Sequence, residues 1–486
     1  MNKVIVIGGG ISGLTAAGVL AKKGFEVKLF EANNKLGGCC ATTNLEGYIF
    51  NDGAMYLVFP AILDTIFEEL GLSRPDDLPL RKIRENTTTF LPGGLQIRFG
   101  KGLEWEYVQG DPSVSRSIIQ SELETFLDRW MPVVDLLVND LLMHPFSYSR
   151  FLQRGWRHLT KLTNTVAKEL NSSFCDPGIR AALGGVLLFA GFPADQLPTN
   201  VLTGLVALLS DGFYLPEGGM GKIPQLLQRA ITRYGVEIHL GRAVDKIVIK
   251  HQGVVGCKIS DGEFFPCNAV IASPGGLITY SKLMDPSNIH AKHRRKLNNS
   301  PLSHTAISLQ LGLSTELNAP SHMVNRIPYL ENQYQVFDFK SGGGDWLCYS
   351  VPTVTMPELA PVGGSVVEMY LPIPQDVPLE IWDEVHTERL TEKAIQILNR
   401  QLPGQGLEIV VKRVRSPKDF QENMYLYRGA LYGLSPAAKP QSYFNQKTGT
   451  PGLYLAGQTT YPGYGIVSTG MSGIFAARAV MENIDQ

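Results

Sequence analysis

Apolar positions along this chain follow two periods, and the switches between them mark its elements. Val4, Ile5, Val6 and Ile7 form a short apolar run that stops at glycines, and a second run, Val27 to Phe30, ends on Glu31. With a helix between them the order is strand, helix, strand. A helix is expected near 61–70, and residues 87–91 and 95–99 flank Pro92, Gly93 and Gly94 as the arms of a hairpin. Then the period changes. Between 116 and 171 Ile119, Leu123, Phe126, Leu127, Trp130, Val134, Leu137 and Leu141 fall at threes and fours, which predicts amphipathic helices. Such a stripe reads as packed core before it reads as a ligand surface, although it also supplies apolar walls.

Strand spacing returns at 236–240 after the glycine-rich segment from Tyr214 to Gly221, which leads into a short helix. Runs at 244–249, 256–259 and 264–271, with Ser260, Asp261 and Gly262 as a turn, predict a β-meander. Further strands are expected at 305–311 and 365–371 and a helix at 382–402. A buried strand at 452–457 and a helix at 470–482 close the chain.

A length of 486 residues calls for more than one lobe. The 44% hydrophobic and 18% charged composition is that of a folded globular protein, and 44 Lys+Arg against 45 Asp+Glu leave nothing to steer the molecule toward nucleic acid. Six cysteines without regular spacing make no disulfide framework and suit a reducing compartment. Met1 leads straight into the first strand, so no signal peptide and a cytoplasmic location are expected. The longest uncharged stretches, 181–194 and 201–210, fall short of the roughly 20 apolar residues of a membrane span. A peripheral membrane contact is open through the basic cluster Lys292 to Lys296, whose commoner reading is a solvated helix face.

The chemistry starts at Gly8, Gly10 and Gly13, which together make a dinucleotide-binding fingerprint between strand and helix. Gly8 permits the tight turn, Gly10 lets a pyrophosphate approach the backbone, and Gly13 lets the helix pack on the sheet. Phosphates then meet free N–H groups at the helix N-terminus. Glu31, at the carboxyl end of the second strand, is placed to accept hydrogen bonds from both ribose hydroxyls and would repel a 2'-phosphate. The ligand expected from these residues is FAD or NAD rather than NADP.

With Gly37 and Gly38, Asp52 and Gly53, the run from Tyr214 to Met220, Leu453 to Gly457 and Pro462 to Gly465 beside that fingerprint, the sequence resembles the carotenoid desaturase, carotenoid isomerase and retinol saturase family of flavoproteins, within the amine oxidase superfamily. The resemblance covers the FAD-binding parts well and the rest loosely. It implies an α/β fold with a Rossmann-like FAD-binding domain of the glutathione reductase type, assembled from 1–84, 214–289 and 426–486. A discontinuous mixed α+β substrate domain would come from 85–213 and 290–425. It further implies that Gly8, Gly10, Ser12 and Gly13 wrap the FAD pyrophosphate and Glu31 holds the adenosine ribose. Gly37 and Gly38 would pass beneath the pyrophosphate and ribityl chain, Val244 would contact adenine through its backbone, and Gly457 and Gln458 would meet the far side of the diphosphate. Gly465, Ile466 and Val467 would offer N–H groups to the flavin pyrimidine ring, reinforced by a helix beginning near Gly470.

Two positions depart from the family pattern. Cys39 and Cys40 follow the paired glycines where many relatives carry arginine, and they read as small packed side chains rather than a redox pair; Gln458 stands where several relatives place an acid. Gly342 to Gly344 and Gly363 with Gly364 lack a following helix, so no second dinucleotide domain is expected. Electrons would pass by oxygen, a quinone, a diffusing reductant or the substrate. No metal-ligand spacing is present. Tyr461, Tyr464 and His304 are weak catalytic candidates, the histidine reading more readily as a hydrogen-bonded core residue.

The function implied is an FAD-dependent oxidoreductase acting on carbon–carbon bonds of a carotenoid, retinoid or similar polyene, by desaturation, saturation or cis–trans isomerisation. A flavin amine oxidase and a non-catalytic polyene-binding flavoprotein are the alternatives.

Overall fold

The computed structural model describes residues 2–83, 85–338 and 345–484. Gly342 to Gly344 and the expected boundary residue Arg84 lie outside the described residues. A five-stranded parallel sheet runs in the order Glu237–His239, Glu26–Phe30, Lys3–Ile7, Ala269–Ala272, Leu453–Leu455. Lys3–Ile7, Ala269–Ala272 and Leu453–Leu455 are short and largely apolar because both faces of the sheet are covered there. Val4 and Val6 pack toward the helices Ile11–Lys22 and Ile466–Ile484, while Ile5 and Ile7 pack toward an antiparallel meander of Val244–Lys250, Gly253–Ile259 and Phe264–Pro266.

Two expectations change here. The run 264–271 is two strands in different sheets, because Pro266 ends the meander and Asn268 turns the chain, exchanging hydrogen bonds with Lys3 at the start of the central strand of the parallel sheet. The last helix starts at Ile466, not near Gly470. Gly470 is there for contact, since a Cβ on it would lie 2.5 Å from Ile66 Cδ1, and Gly473 lets the helix approach the backbone of Ser12, where a Cβ would lie 2.3 Å from the carbonyl oxygen.

The second lobe is built on an eight-stranded mixed sheet. Its order is Ile409–Arg415, Thr305–Leu313, Ser365–Ile373, Leu347–Ser350, Val324–Arg326, Glu85–Phe90, Gln96–Gly100, Trp105–Gln109. The expected hairpin thus joins strands more than two hundred residues away, with Val324 paired in parallel to Thr88. Helix Glu384–Gln401 covers one face through Ala394, Ile397 and Leu398.

Between the lobes sits the helical segment. Arg116–Asn139, Val166–Ser173 and Pro177–Val186 start on Ser115, Thr165 and Asp176, whose side chains each accept a first-turn N–H. Ile119, Leu123, Phe126, Trp130 and Val134 are buried as core, whereas Leu127, Leu137 and Leu141 are half-buried. Val133, Leu136 and Leu137 of the first of these helices line a cavity.

Candidate active site

One cavity of about 1920 Å³ runs from the first glycine turn into the helical segment. Gly8 has φ +90°, and its N–H donates to Phe30 O at 2.7 Å, closing the turn between the two strands. Any Cβ on Gly13 would lie 1.9 Å from Gly8 O, whereas a Cβ on Gly10 would meet no protein atom within 4 Å. Gly10 therefore opens on the cavity. It is the N-cap of Ile11–Lys22 without a side-chain cap, and the first helical bond is Leu14 N to Gly10 O, so the N–H groups of Ile11, Ser12 and Gly13 have no partner within the helix. The positive end of a helix is thus aimed at open space, as an anion requires.

Glu31 stands 8% exposed at the wall, its two oxygens accepting from Gly9 N–H at 2.6 Å and Asn33 N–H at 2.8 Å. Each oxygen keeps a further lone pair for a hydroxyl donor. Val244 lines the same end. Gly37 and Gly38, at φ +116° and +53°, carry the second loop against the first: Gly37 N–H donates to Gly9 O at 2.8 Å, and a Cβ on Gly38 would lie 3.3 Å from Gly10 Cα.

At the opposite wall Gly457 (φ +102°) passes so close to Ser273 that a Cβ would lie 2.2 Å from its carbonyl oxygen. Its own N–H is taken by Ser472 Oγ at 3.2 Å, so of this pair Gln458 is the one with a side chain at the cavity to offer. Because the closing helix begins at Ile466 and its first bond is Thr469 N to Gly465 O, its positive end coincides with Gly465, Ile466 and Val467. The separate helix start expected at Gly470 is absorbed into that one donor cluster.

Beside the glycine loops lies a charged knot that sequence reasoning assigned no role. Asp52, 4% exposed, pairs with Lys35 at 2.6 Å, Arg413 at 2.8 Å and the Arg415 guanidinium. Burial would push its carboxyl up, yet Arg415, Lys35 and Arg413 outweigh that and hold it below the ordinary carboxylate value. The available signal was Arg413 and Arg415 two apart, on one face of a strand. Cys39 lies next to Arg415, but burial still pushes its thiol up to about 11, and the wholly buried Cys40 is raised further. Neither is a poised thiolate, in keeping with packed side chains.

Past the knot the wall becomes mainly apolar, with Arg150, His144 and His158 among its charged or titratable members. Leu136, Leu137, Leu141, Phe146, Phe151 and Phe189 line this arm, and the only carboxylates on the described wall, Glu31, Asp52 and Asp245, all belong to the dinucleotide end. His304, Tyr461 and Tyr464 are all on the wall. Burial lowers the His304 imidazole to about 4, which leaves it neutral, its Nδ1 without a partner and its ring edge-on to Tyr432 at 5.4 Å. The Tyr461 hydroxyl is already committed to Leu141 O, where it ties the glycine-rich turn to the helical segment. Tyr464 stacks on Tyr432 at 4.6 Å, and Tyr432 donates to Phe189 O at 3.0 Å. Tyr432 was not foreseen, because nothing in its local sequence marks it.

A parallel sheet, two helix N-termini and a ring of close-approach glycines around one large cavity define a dinucleotide-binding oxidoreductase of the FAD type. The chain belongs to the flavin-containing amine oxidoreductase family, whose model matches residues 11–481, and it is an FAD-dependent oxidoreductase. It is 26% identical over 489 residues to a 4,4'-diaponeurosporene oxygenase of Staphylococcus aureus, covering 97% of this chain and 96% of the relative. It is 25% identical over 500 residues to a zeta-carotene-forming phytoene desaturase of Myxococcus xanthus, covering 99% and 94%. Its fold matches cyclohexylamine oxidase from Brevibacterium oxydans with a TM-score of 0.64 over 100% of both chains, at 18% identity. Among the described residues no helix is long and apolar enough to cross a membrane, and no cluster of ligands for a metal ion is present.

Proposed function

We propose that this oxidoreductase acts on carbon–carbon bonds of a carotenoid, retinoid or similar apolar polyene, by desaturation, saturation or cis–trans isomerisation. The observation that carries this reading is the apolar arm: it continues the dinucleotide cavity without a carboxylate on its described wall. The whole volume is about twice the upper end for an ordinary small-molecule pocket, enough for a dinucleotide and a long second ligand. Two relatives named for carotenoid substrates support it. A protonated amine would find no counter-charge in that arm, which weighs against an amine substrate despite the fold.

In this reading residues 1–84, 214–289 and 426–486 make the FAD domain, and 85–213 with 290–425 the substrate domain. Gly8, Gly10, Ser12 and Gly13 bind the pyrophosphate, Glu31 the adenosine ribose, Val244 the adenine, Gly37 and Gly38 the ribityl side, and Gln458 with Gly457 the opposite side. Gly465, Ile466 and Val467 present N–H groups to the pyrimidine ring, where negative charge is stabilised. FAD, when bound, supplies a two-electron acceptor or donor. The apolar arm orients the polyene and excludes water, Tyr432 and Tyr464 form a flat aromatic wall, and neutral His304 brings no charge to the site. The electron partner is oxygen, a quinone or a diffusing reductant.

The test is to incubate holoprotein with cis and all-trans carotenoids, aerobically and with pre-reduced flavin, and to read products by chromatography and mass. A change of two hydrogens marks desaturation or saturation, and an unchanged mass with a new retention time marks isomerisation. Peroxide and ammonia released from amines, or bound polyene with no product under either condition, would overturn the proposal.

A further inference from the structure

The segment 141–168 contains Arg150, Arg154, Arg157, Lys161 and Lys168; the acids that flank it are Asp140, paired with Arg150 at 2.7 Å and Arg154 at 3.4 Å, and Glu169, paired with Arg129 at 3.3 Å. Within it lies the short helix Tyr148–Gly155, continued by the 3-10 run Trp156–Thr163. At about 100° per residue Tyr148, Leu152 and Trp156 form one ridge, and they are 61%, 56% and 58% exposed. Next to that ridge, on the inward side, Phe151 and Gly155 face the protein and line the cavity. The apolar arc of this segment is therefore wider than the protein covers. Three large side chains in register stand in water beside Phe151 and Gly155, which line the apolar arm of the cavity.

We propose that this ridge is the docking surface of the protein on an anionic lipid bilayer. An amphipathic helix that seats in a membrane interface shows aromatic and aliphatic residues on one side and cations beside them. Here Arg157 is an exposed flanking cation whose guanidinium lies over the Trp156 ring at 5.5 Å, and Arg154, exposed beside it, lies 3.4 Å from the Asp140 carboxylate. Tyr148 packs edge-on to Phe146 at 4.8 Å, and Phe146 lies on the cavity wall, so the ridge is continuous with the substrate arm. The cluster Lys292 to Lys296, the site open to membrane contact from sequence, is built differently. Its helix Ala291–Asn299 has no exposed large apolar residue, His293 is held by Thr448 O at 2.8 Å, and Lys296 donates to Tyr443 O at 2.6 Å. Charge complementarity, with five cations against Asp140, selects a lipid surface with anionic headgroups, and the ridge's continuity with the cavity wall through Phe146 gives the docking a use: an apolar substrate passes from bilayer to cavity without crossing water. That use rests on the polyene reading; the docking itself does not.

The test is co-sedimentation of holoprotein with vesicles of phosphatidylcholine alone or with 30 mol% phosphatidylglycerol (roughly the charge density at which cation clusters bind). Wild type is expected on the anionic vesicles and to leave them as salt is raised. Arg154→Gln with Arg157→Gln weakens binding about fivefold per cation, and Leu152→Ser with Trp156→Ser weakens it by at least about tenfold. Flavin content and circular dichroism of each variant report the fold, and turnover of detergent-dispersed polyene reports the cavity. Unchanged vesicle binding by both double variants would overturn the docking proposal, as would a wild-type dimer that these substitutions dissociate and that does not bind vesicles. Vesicle binding with no polyene turnover would overturn the functional reading and leave the docking standing.

Discussion

Two glycines three residues apart in the same turn should respond to alanine in opposite ways. Gly10 has φ −73° and ψ 178°, which alanine adopts freely, and its Cβ would meet no protein atom within 4 Å. Gly10→Ala therefore changes apoprotein stability by less than about 1 kcal/mol, the scale of an N-cap preference. The new methyl instead occupies the space into which Ile11, Ser12 and Gly13 aim their unpaired N–H groups. Losing one charge-assisted hydrogen bond costs about 1.5–3 kcal/mol, a ten- to hundredfold rise in the Kd for FAD. At Gly13 the Cβ would lie 1.9 Å from Gly8 O and 2.9 Å from Ser273 Oγ. Alanine gains about 1 kcal/mol in helix propensity, but the carbonyl belongs to a turn held between two strands and must move by more than about 1 Å to reach ordinary contact. Overpacking costs about 1–3 kcal/mol, and a backbone partner puts this case at or above the top of that range, for a net loss of about 2 kcal/mol. Urea denaturation of the apoproteins and quenching of FAD fluorescence separate the two effects. If Gly10→Ala binds FAD as wild type does, the pyrophosphate does not sit over this turn.

His322 is buried with both ring nitrogens unpartnered, and burial lowers its imidazole to about 3 against an ordinary 6.5. Its contribution to stability is complete above pH 6.5 and is lost as pH falls toward 3, so His322→Phe, which keeps the edge-on contact with Tyr56, should stabilise the protein at pH 5 by about 2 kcal/mol; an unshifted acid limb in urea denaturation would refute this. Glu368 has the opposite sign: burial raises its carboxyl to about 7 from 4.5, so the folded state holds an extra proton between those values and stability falls as pH rises through them. Glu368→Gln should flatten that slope and gain up to about 3 kcal/mol at pH 8 but none at pH 4.5, as read from denaturation midpoints. Tyr461→Phe removes the hydrogen bond to Leu141 O and should cost about 1 kcal/mol of stability while leaving turnover intact; a collapse of kcat with unchanged stability would make Tyr461 a catalytic residue. Leu123→Ala should cost about 2–5 kcal/mol as a core cavity, whereas Leu137→Ser should leave stability near wild type and raise KM for an apolar substrate.

The dinucleotide end was legible because its signals are local. Glycines at Gly8, Gly10 and Gly13 report steric demands made by atoms a few residues away or on the adjoining strand, and Glu31 follows from the end of that strand. The knot around Asp52 was not, since it joins residues more than three hundred apart and shows in the sequence only as Arg413 and Arg415 alternating in a strand. The same holds for the eight-stranded sheet. Its hairpin at 85–100 was visible through Pro92 to Gly94, while the short strands Val324–Arg326 and Leu347–Ser350 carry too few residues to show a period. Gly470 misled for a physical reason: glycine marks helix ends, but it also marks helix contacts, and only the packing against Ile66 tells the two apart.

The helix Arg116–Asn139 shows why the substrate end lies beyond periodicity alone. Its apolar residues keep one spacing throughout, yet Trp130 is sealed in the core and Val133, Leu136 and Leu137 face the cavity. Pro132 lies next to this change and has no N–H for the carbonyl of Asp128, so the helix lacks one bond there. Apolar side chains satisfy a core and a polyene equally well, because both ask only for contact without water. What distinguishes them is whether another side chain arrives to fill the facing space, and that depends on elements from far along the chain. In this protein the facing elements are the turn at Tyr461 and the wall at Phe189 and Tyr432. They are tied to their neighbours by hydroxyl bonds, from Tyr461 to Leu141 O and from Tyr432 to Phe189 O, and by ring contacts of Tyr461 with Phe146 and of Tyr432 with Tyr464. Walls fixed by contacts with their own neighbours do not close on the stripe they face, which is how an apolar stripe can stay a wall without collapsing into a core.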